Sequence, residues 1–342
     1  MGKLIEMQNT VANCMKEGKE NESKAYTSYL REGNKYAPIG SSVDALPSGF
    51  YIPINDVFRN ETYLLKKEVI MPKLYILPNE IQKNVLEDIK TFWESEDRYR
   101  RFGNVYKRNI LLYSVPGNGK TSLINLIANK LIEEYNGVVI CIENVTELQS
   151  YGTVMNKFRS VEPNRKVLTI IEDFERLAQM SEQEALILQT LDGNSQFDNV
   201  VTIATTNHPE ILENRFTCRP SRFNLVLELK KPDAEIRRAY IEMKLSDGGI
   251  DINDEKVRND IERYVKKTEG YTFDFVKEAV QGIYVDNIGE VATFERLEDI
   301  IKKKGRYKVS EDDVNKIGFT SGRTETEKEE VVPVVKQVKG FG

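Results

Sequence analysis

Five short apolar runs, at 109–113, 138–142, 167–171, 200–205 and 225–229, alternate with helix-like stretches through the middle of this chain. They are rich in Val, Ile and Leu and do not alternate apolar with polar residues, so each reads as a strand buried on both faces. Strands of that kind belong to a parallel sheet covered by helices, which predicts an α/β unit with a five-stranded parallel sheet. A helix over 80–93, with Ile81, Val85, Ile89 and Phe92 at helical spacing, opens that unit. After Pro232 the strand signal stops, and 233–245, 254–268, 272–287 and 293–302 read as helices, with Ser310 capping a short last one.

The expected organisation is therefore an appendage at 1–77 (a helix-prone stretch at 3–33, then a small strand pair within 50–76), the α/β unit at 78–231, a small all-helical lid at 232–318 and a disordered tail at 319–342. The 342 residues, 40% of them hydrophobic, suffice for two or three compact units. No apolar run approaches the roughly 18 residues of a membrane span, and the first residues lack a signal-peptide pattern, so a cytoplasmic protein without membrane contact is expected. Cys14, Cys141 and Cys218 are far apart and outside any metal spacing, which favours reduced thiols. A formal charge of −5 gives no global attraction to phosphate backbones.

The segment Ser114-Val115-Pro116-Gly117-Asn118-Gly119-Lys120-Thr121 follows the first strand and opens an amphipathic helix carrying Leu123, Ile124, Ile127 and Leu131. A strand, a glycine-rich loop ending in Lys-Thr, and a helix together make a phosphate-binding P-loop. Backbone N–H groups from Pro116–Ser122 and the positive helix end would cradle phosphates, Lys120 would reach the β and γ oxygens, and the Thr121 hydroxyl would ligate Mg2+. Ser114 stands where such loops normally start with glycine, which predicts a slightly altered loop.

At the end of the third run stand Glu172 and Asp173, where open α/β sheets place their ligands. Hydrolysis of a phosphoanhydride needs one carboxylate holding Mg2+ through its water shell and another orienting the attacking water. Glu172 is assigned to the metal and Asp173 to the water, with Glu175 as a substitute for either.

These motifs resemble those of the AAA family of ATPases, and further stretches fall in order over about residues 78–317. Leu191-Asp192-Gly193 looks like that family's LDG, and Ile203-Ala204-Thr205-Thr206-Asn207 is similar to its sensor 1, which implies that Asn207 bonds the γ-phosphate or the attacking water. Arg219-Pro220-Ser221-Arg222-Phe223 resembles the stretch whose two arginines reach the ATP of an adjacent subunit; a solvated surface pair is the alternative. Gly270-Tyr271-Thr272-Phe273-Asp274 falls where the lid carries GYTGAD. The Arg98-Tyr99-Arg100-Arg101 run, the Glu-Asp order and the Thr205-Thr206-Asn207-His208 string look most like the branch of mitochondrial inner-membrane assembly ATPases, without their membrane anchor. His208 is expected to shape the loop beside Asn207.

The resemblance implies ATP and Mg2+ as cofactors, ATP hydrolysis, and a ring of identical copies, usually six, with a loop from each subunit in a central pore. Tyr151 and Gly152 occupy the matching position, so Tyr151 either grips a threaded chain or packs under the next helix. A protein substrate or adaptor is the expected partner. A nucleic-acid motor is the alternative; Lys302-Lys303-Lys304 with Arg306 and Lys308 is the compact basic run it would use.

Overall fold

The computed structural model describes residues 28–32, 35–39, 43–56, 61–178, 181–192, 197–212 and 219–304. The start of the helix-prone stretch, Cys14, Cys218, the helix expected at Ser310 and the 319–342 tail lie outside the described residues. Two short strands, β1 (Ser28–Glu32) and β2 (Lys35–Ile39), pair antiparallel with each other, so the end of the stretch expected to be helical is extended instead.

The central sheet contains β3 (Gly49–Asp56), β4 (Glu61–Lys67), β5 (Lys107–Tyr113), β6 (Val138–Ile142), β7 (Val167–Ile171), β8 (Val200–Thr206) and β9 (Leu225–Glu228), in the order β4-β3-β6-β7-β8-β5-β9. It has seven strands rather than the expected five. The two extra strands are the N-terminal hairpin: β3 runs parallel to β6, with Phe50 opposite Val139, and antiparallel to β4. All five residues of β6 are buried, so leaving its outer edge unpaired would strand backbone polar groups away from water, and the hairpin satisfies them. The other five strands are mutually parallel, as expected.

Helices cover both faces, because neighbouring strand residues point opposite ways. Ile110, Leu112, Val139 and Ile170 face α1 (Glu80–Trp93) and α3 (Lys120–Tyr135), whereas Leu111, Ile140 and Ile171 face α4 (Val145–Val161) and α6 (Ser181–Asp192). Asn79 caps α1, its Oδ1 accepting from the N–H groups of Ile81 and Gln82, so the start read from periodicity holds to the residue. The short α2 (Glu96–Arg101) follows α1, and α5 (Phe174–Ala178) follows β7.

The lid comprises α7 (Ala234–Asp247), α8 (Glu255–Lys267), α9 (Phe273–Tyr284) and α10 (Glu290–Lys304), around a separate core of Ile241, Tyr264, Val276 and Leu297. Asp233 and Asp254 cap α7 and α8. β5 has β8 on one side and β9 on the other while the chain departs to β6, which makes its C-terminal end a topological switch point, the usual place for a ligand in such sheets.

Candidate functional site

β5 delivers the loop 114–119 to this switch point. Gly117 (φ +85°) and Gly119 (φ +83°) adopt left-handed backbone that other residues rarely take. A side chain at Gly117 would come within 2.8 Å of Asp274 on the lid. Ser114 is absent from the positive-φ residues, so replacing the usual glycine costs no backbone strain. Its hydroxyl oxygen accepts from Lys120 Nζ at 2.9 Å, a contribution that the sequence reading missed. Thr121 and Ser122 are exposed in the first turn of α3, where a hydroxyl can reach a cation.

Lys120 Nζ also donates to Asn207 Oδ1 at 2.6 Å, joining the ends of β5 and β8. Asn207 in turn donates its backbone N–H to Glu175 Oε1 at 3.3 Å, and Glu175 Oε2 is buried without a partner among the described residues. Burial lowers the pKa of Lys120, and Glu175, Asp173 and Asp274 oppose that shift. The fold thus converges a lysine, an amide and three acids on one point. Asp173 holds left-handed backbone (φ +47°), which Asp tolerates better than most residues, and is half-exposed with Arg176 at 3.7 Å.

Glu172 lies on the other side of the strand end. Burial, Glu143 and Asp173 raise its pKa, and Lys67, which is ion-paired with Glu143, opposes them. Glu175, Asp173 and Asp274, rather than Glu172, are the acids acting on Lys120. His208 Nδ1 lies 2.9 Å from Glu210 Oε1, and the His208 backbone N–H donates to Thr206 Oγ1 at 2.9 Å; these contacts shape the turn.

The two arginines part company. Arg219 is exposed. Arg222 is only 7% exposed, and its Nε bonds Asp192 Oδ2 at 2.8 Å within the same chain. Asn224 Oδ1 accepts from the Asn109 N–H at 2.9 Å and its side-chain amide donates to Pro220 O at 3.1 Å, which ties this loop to the start of β5.

The pore-loop reading of Tyr151 and Gly152 is overturned. Residues 145–161 form one helix, α4, and Tyr151 is 2% exposed. Its hydroxyl shares a hydrogen bond with Thr169 Oγ1 at 2.8 Å, and its ring meets Phe197 edge-on. Leu148, Tyr151, Met155 and Phe158 recur at helical spacing on the buried face, so the ring belongs to the core, and Gly152 falls in mid-helix.

Beside the loop, a cleft of about 180 Å³ lies between the lid and the strap that joins β4 to α1. Tyr75, Leu77, Leu229, Tyr240 and Phe273 form its apolar walls. No motif in the sequence marks the strap. Gln82 fixes it by accepting from the Leu77 N–H at 2.9 Å and donating to Tyr75 O at 3.2 Å. Asp247 on α7 binds it through Lys73 (2.6 Å) and the Tyr75 hydroxyl. α9 closes the cleft, the Asp274 N–H donating to Gly117 O at 3.1 Å. A phosphate loop beside an aromatic-walled cleft fits a nucleoside triphosphate. Thr121 in the first turn of α3 and Asp173, which acts on Lys120, offer the oxygen donors that Mg2+, a hard cation that keeps much of its water, takes, whereas Glu172 lies on the other side of the strand end.

Comparison with known proteins supports this reading of the site. Residues 110–231 match the family described as "ATPase family associated with various cellular activities (AAA)". Residues 110–231 are an AAA ATPase domain. ATP hydrolysis is the activity such a domain indicates. The chain is 30% identical over 171 residues (45% of its length) to "Probable mitochondrial chaperone BCS1-A" of Dictyostelium discoideum. It is 28% identical over 178 residues (48% of its length) to "ATP-dependent zinc metalloprotease FtsH" of Marinobacter nauticus. To "AAA-ATPase At2g18193" of Arabidopsis thaliana it is 27% identical over 247 residues, 67% of its length. The matches span 39%, 28% and 48% of these relatives' own lengths.

Proposed function

We propose that this AAA ATPase couples ATP binding and hydrolysis to the remodelling or disassembly of a protein substrate, as a ring of identical copies, six by analogy with the family, in the cytoplasm. The observation that carries the nucleotide reading is the meeting of Lys120, Asn207 and Glu175 at the end of the sheet. Bound ATP·Mg2+ supplies the scissile phosphoanhydride and the Lewis acid. The loop N–H groups and Lys120 would hold the phosphates, and Thr121, with Glu172 acting through water from the other side of the strand end, would hold the metal. Asp173 orients the attacking water and takes its proton, while Glu175 keeps the Asn207 backbone in place so that its side chain can turn from Lys120 to the γ-phosphate. Arg219, exposed on this chain, serves the neighbouring copy's ATP; Arg222 joins it only by leaving Asp192.

A protein client is supported by relatives named as a chaperone and a protease, and by a net charge of −5, which does not favour a nucleic-acid track. No helix among the described residues is long and apolar enough to cross a membrane.

Two variants test the site. Lys120→Ala should abolish saturable ATP binding in calorimetry, and near-normal affinity would sink the assignment. Asp173→Asn should keep ATP bound while turnover falls by roughly 10²-fold or more, because an amide is a poor proton acceptor. If Glu175→Gln traps ATP while Asp173→Asn turns over normally, the roles of these acids are exchanged.

A further inference from the structure

Asn118 has a side chain whose chemistry the phosphate site does not use. Lys120 turns toward β8, whereas Asn118 turns to β9, so the same loop sends one side chain to the phosphates and one to the nucleoside cleft. Asn118 is 2% exposed, and its amide NH2 donates to Leu229 O at 3.2 Å. Leu229 follows β9 and extends its pairing with β5 through its N–H on Tyr113 O at 2.9 Å, which keeps the backbone beside Asn118 in place. A flipped amide would set oxygen against oxygen, and the orientation is therefore fixed. Oδ1 is left as a buried acceptor that no donor among the described residues reaches. Of the buried side-chain atoms without a partner among the described residues, it alone belongs to a residue that lines this cleft.

The cleft that Asn118 lines has Tyr75, Leu77, Tyr240 and Phe273 around it, walls suited to a flat ring. A nucleoside triphosphate brings few donors to it: ionised phosphates have none, which leaves the base and the ribose hydroxyls. We propose that Asn118 Oδ1 is the specificity-determining atom of this site, accepting a hydrogen bond from the 6-amino group of adenine and rejecting the 6-oxo group of guanine or hypoxanthine, where two acceptors would meet. This inference rests on the nucleotide-site reading above. The Leu229 bond is what gives it selectivity, because an amide free to rotate would serve either base.

ITP provides the test, since it replaces the 6-amino group of ATP by oxygen and leaves the ribose and phosphates alone. Calorimetric titration of the full chain with ATP, ITP, GTP and 2′-deoxy-ATP should give ATP a roughly 10- to 100-fold preference over ITP, the span expected when a site built for a donor meets an analogue lacking it. In Asn118→Ala that preference should collapse to within about threefold, chiefly through weaker ATP binding. Discrimination against 2′-deoxy-ATP should not change. Asn118→Thr, whose hydroxyl can donate or accept, should show the same collapse and substitutes for the alanine variant if that one fails to fold. An ATP-to-ITP ratio that survives in a folded, ATP-binding variant overturns the proposal. So does a variant that loses discrimination against 2′-deoxy-ATP instead, which would assign Oδ1 to the ribose. Equal binding of ATP and ITP by the wild-type chain overturns this inference alone, whereas failure to bind any of the four overturns the nucleotide-site reading with it.

Discussion

Tyr151 and Ser114 show what single residues disclose and conceal. An aromatic residue followed by glycine after a strand reads as an exposed grip, yet the helical spacing of Leu148, Tyr151, Met155 and Phe158 places the ring in the core. Tyr151→Phe should cost about 1 kcal/mol for the lost Thr169 bond, and Tyr151→Ala about 3–5 kcal/mol for the cavity. Chemical denaturation measures both, and an alanine variant as stable as wild type would contradict the buried position. Ser114 was legible as a departure from the usual loop, but its use as an acceptor for Lys120 depends on a side-chain direction that no motif encodes. Glu175 is similar: its spacing marked it as a spare acid, and only the meeting of α5 with the end of β8 shows it holding Asn207.

Elements were easier to read where both faces are buried. β6 and β7 have the expected bounds because nothing charged interrupts them and every residue is buried, and α1 because a capped amphipathic run leaves little choice. The hairpin of β3 and β4 was visible as strands but not as part of the sheet, since pairing with β6 is a long-range choice. A chain shortened to begin at residue 69 should expose the edge of β6 and aggregate, whereas one beginning at residue 43 should remain monodisperse in size-exclusion chromatography. In the lid, Glu290 opens α10 and pairs with Arg263 and Lys267 of α8, at 2.7 Å each. The Arg263 bond, against some desolvation and with help from Lys267, pulls its pKa down from 4.5 to about 2. A depressed carboxylate adds stability above its unfolded value and loses it as pH falls through the folded one. Glu290→Gln should therefore lower stability by about 1 kcal/mol at neutral pH, after discounting for solvent screening, and the gap should close between pH 4.5 and about 2. Melting curves of both proteins across that range check the sign.

For the whole molecule, Arg219 and Arg222 make separable contributions. Arg222→Ala removes an ion pair inside the subunit and should lower its melting temperature, whereas Arg219→Ala should leave folding and ATP affinity intact and impair turnover alone. Mixing Arg219→Ala with Asp173→Asn, each inactive by itself, should restore part of the activity, because a mixed interface joins an intact water site to an intact arginine. No recovery in demonstrated mixed assemblies would confine Arg219 to its own subunit. The strap fastened to α7 by Lys73 and Tyr75 has a mechanical consequence. It leaves the outermost strand of the sheet and is tied to the lid before it enters α1, so any rotation of the lid tugs on the sheet edge farthest from β9. Force from the cleft can in this way leave the molecule through its N-terminal hairpin, and Asp247→Asn should slacken that tether, leaving ATP turnover while disconnecting the hairpin from the nucleotide cycle in hydrogen-exchange measurements.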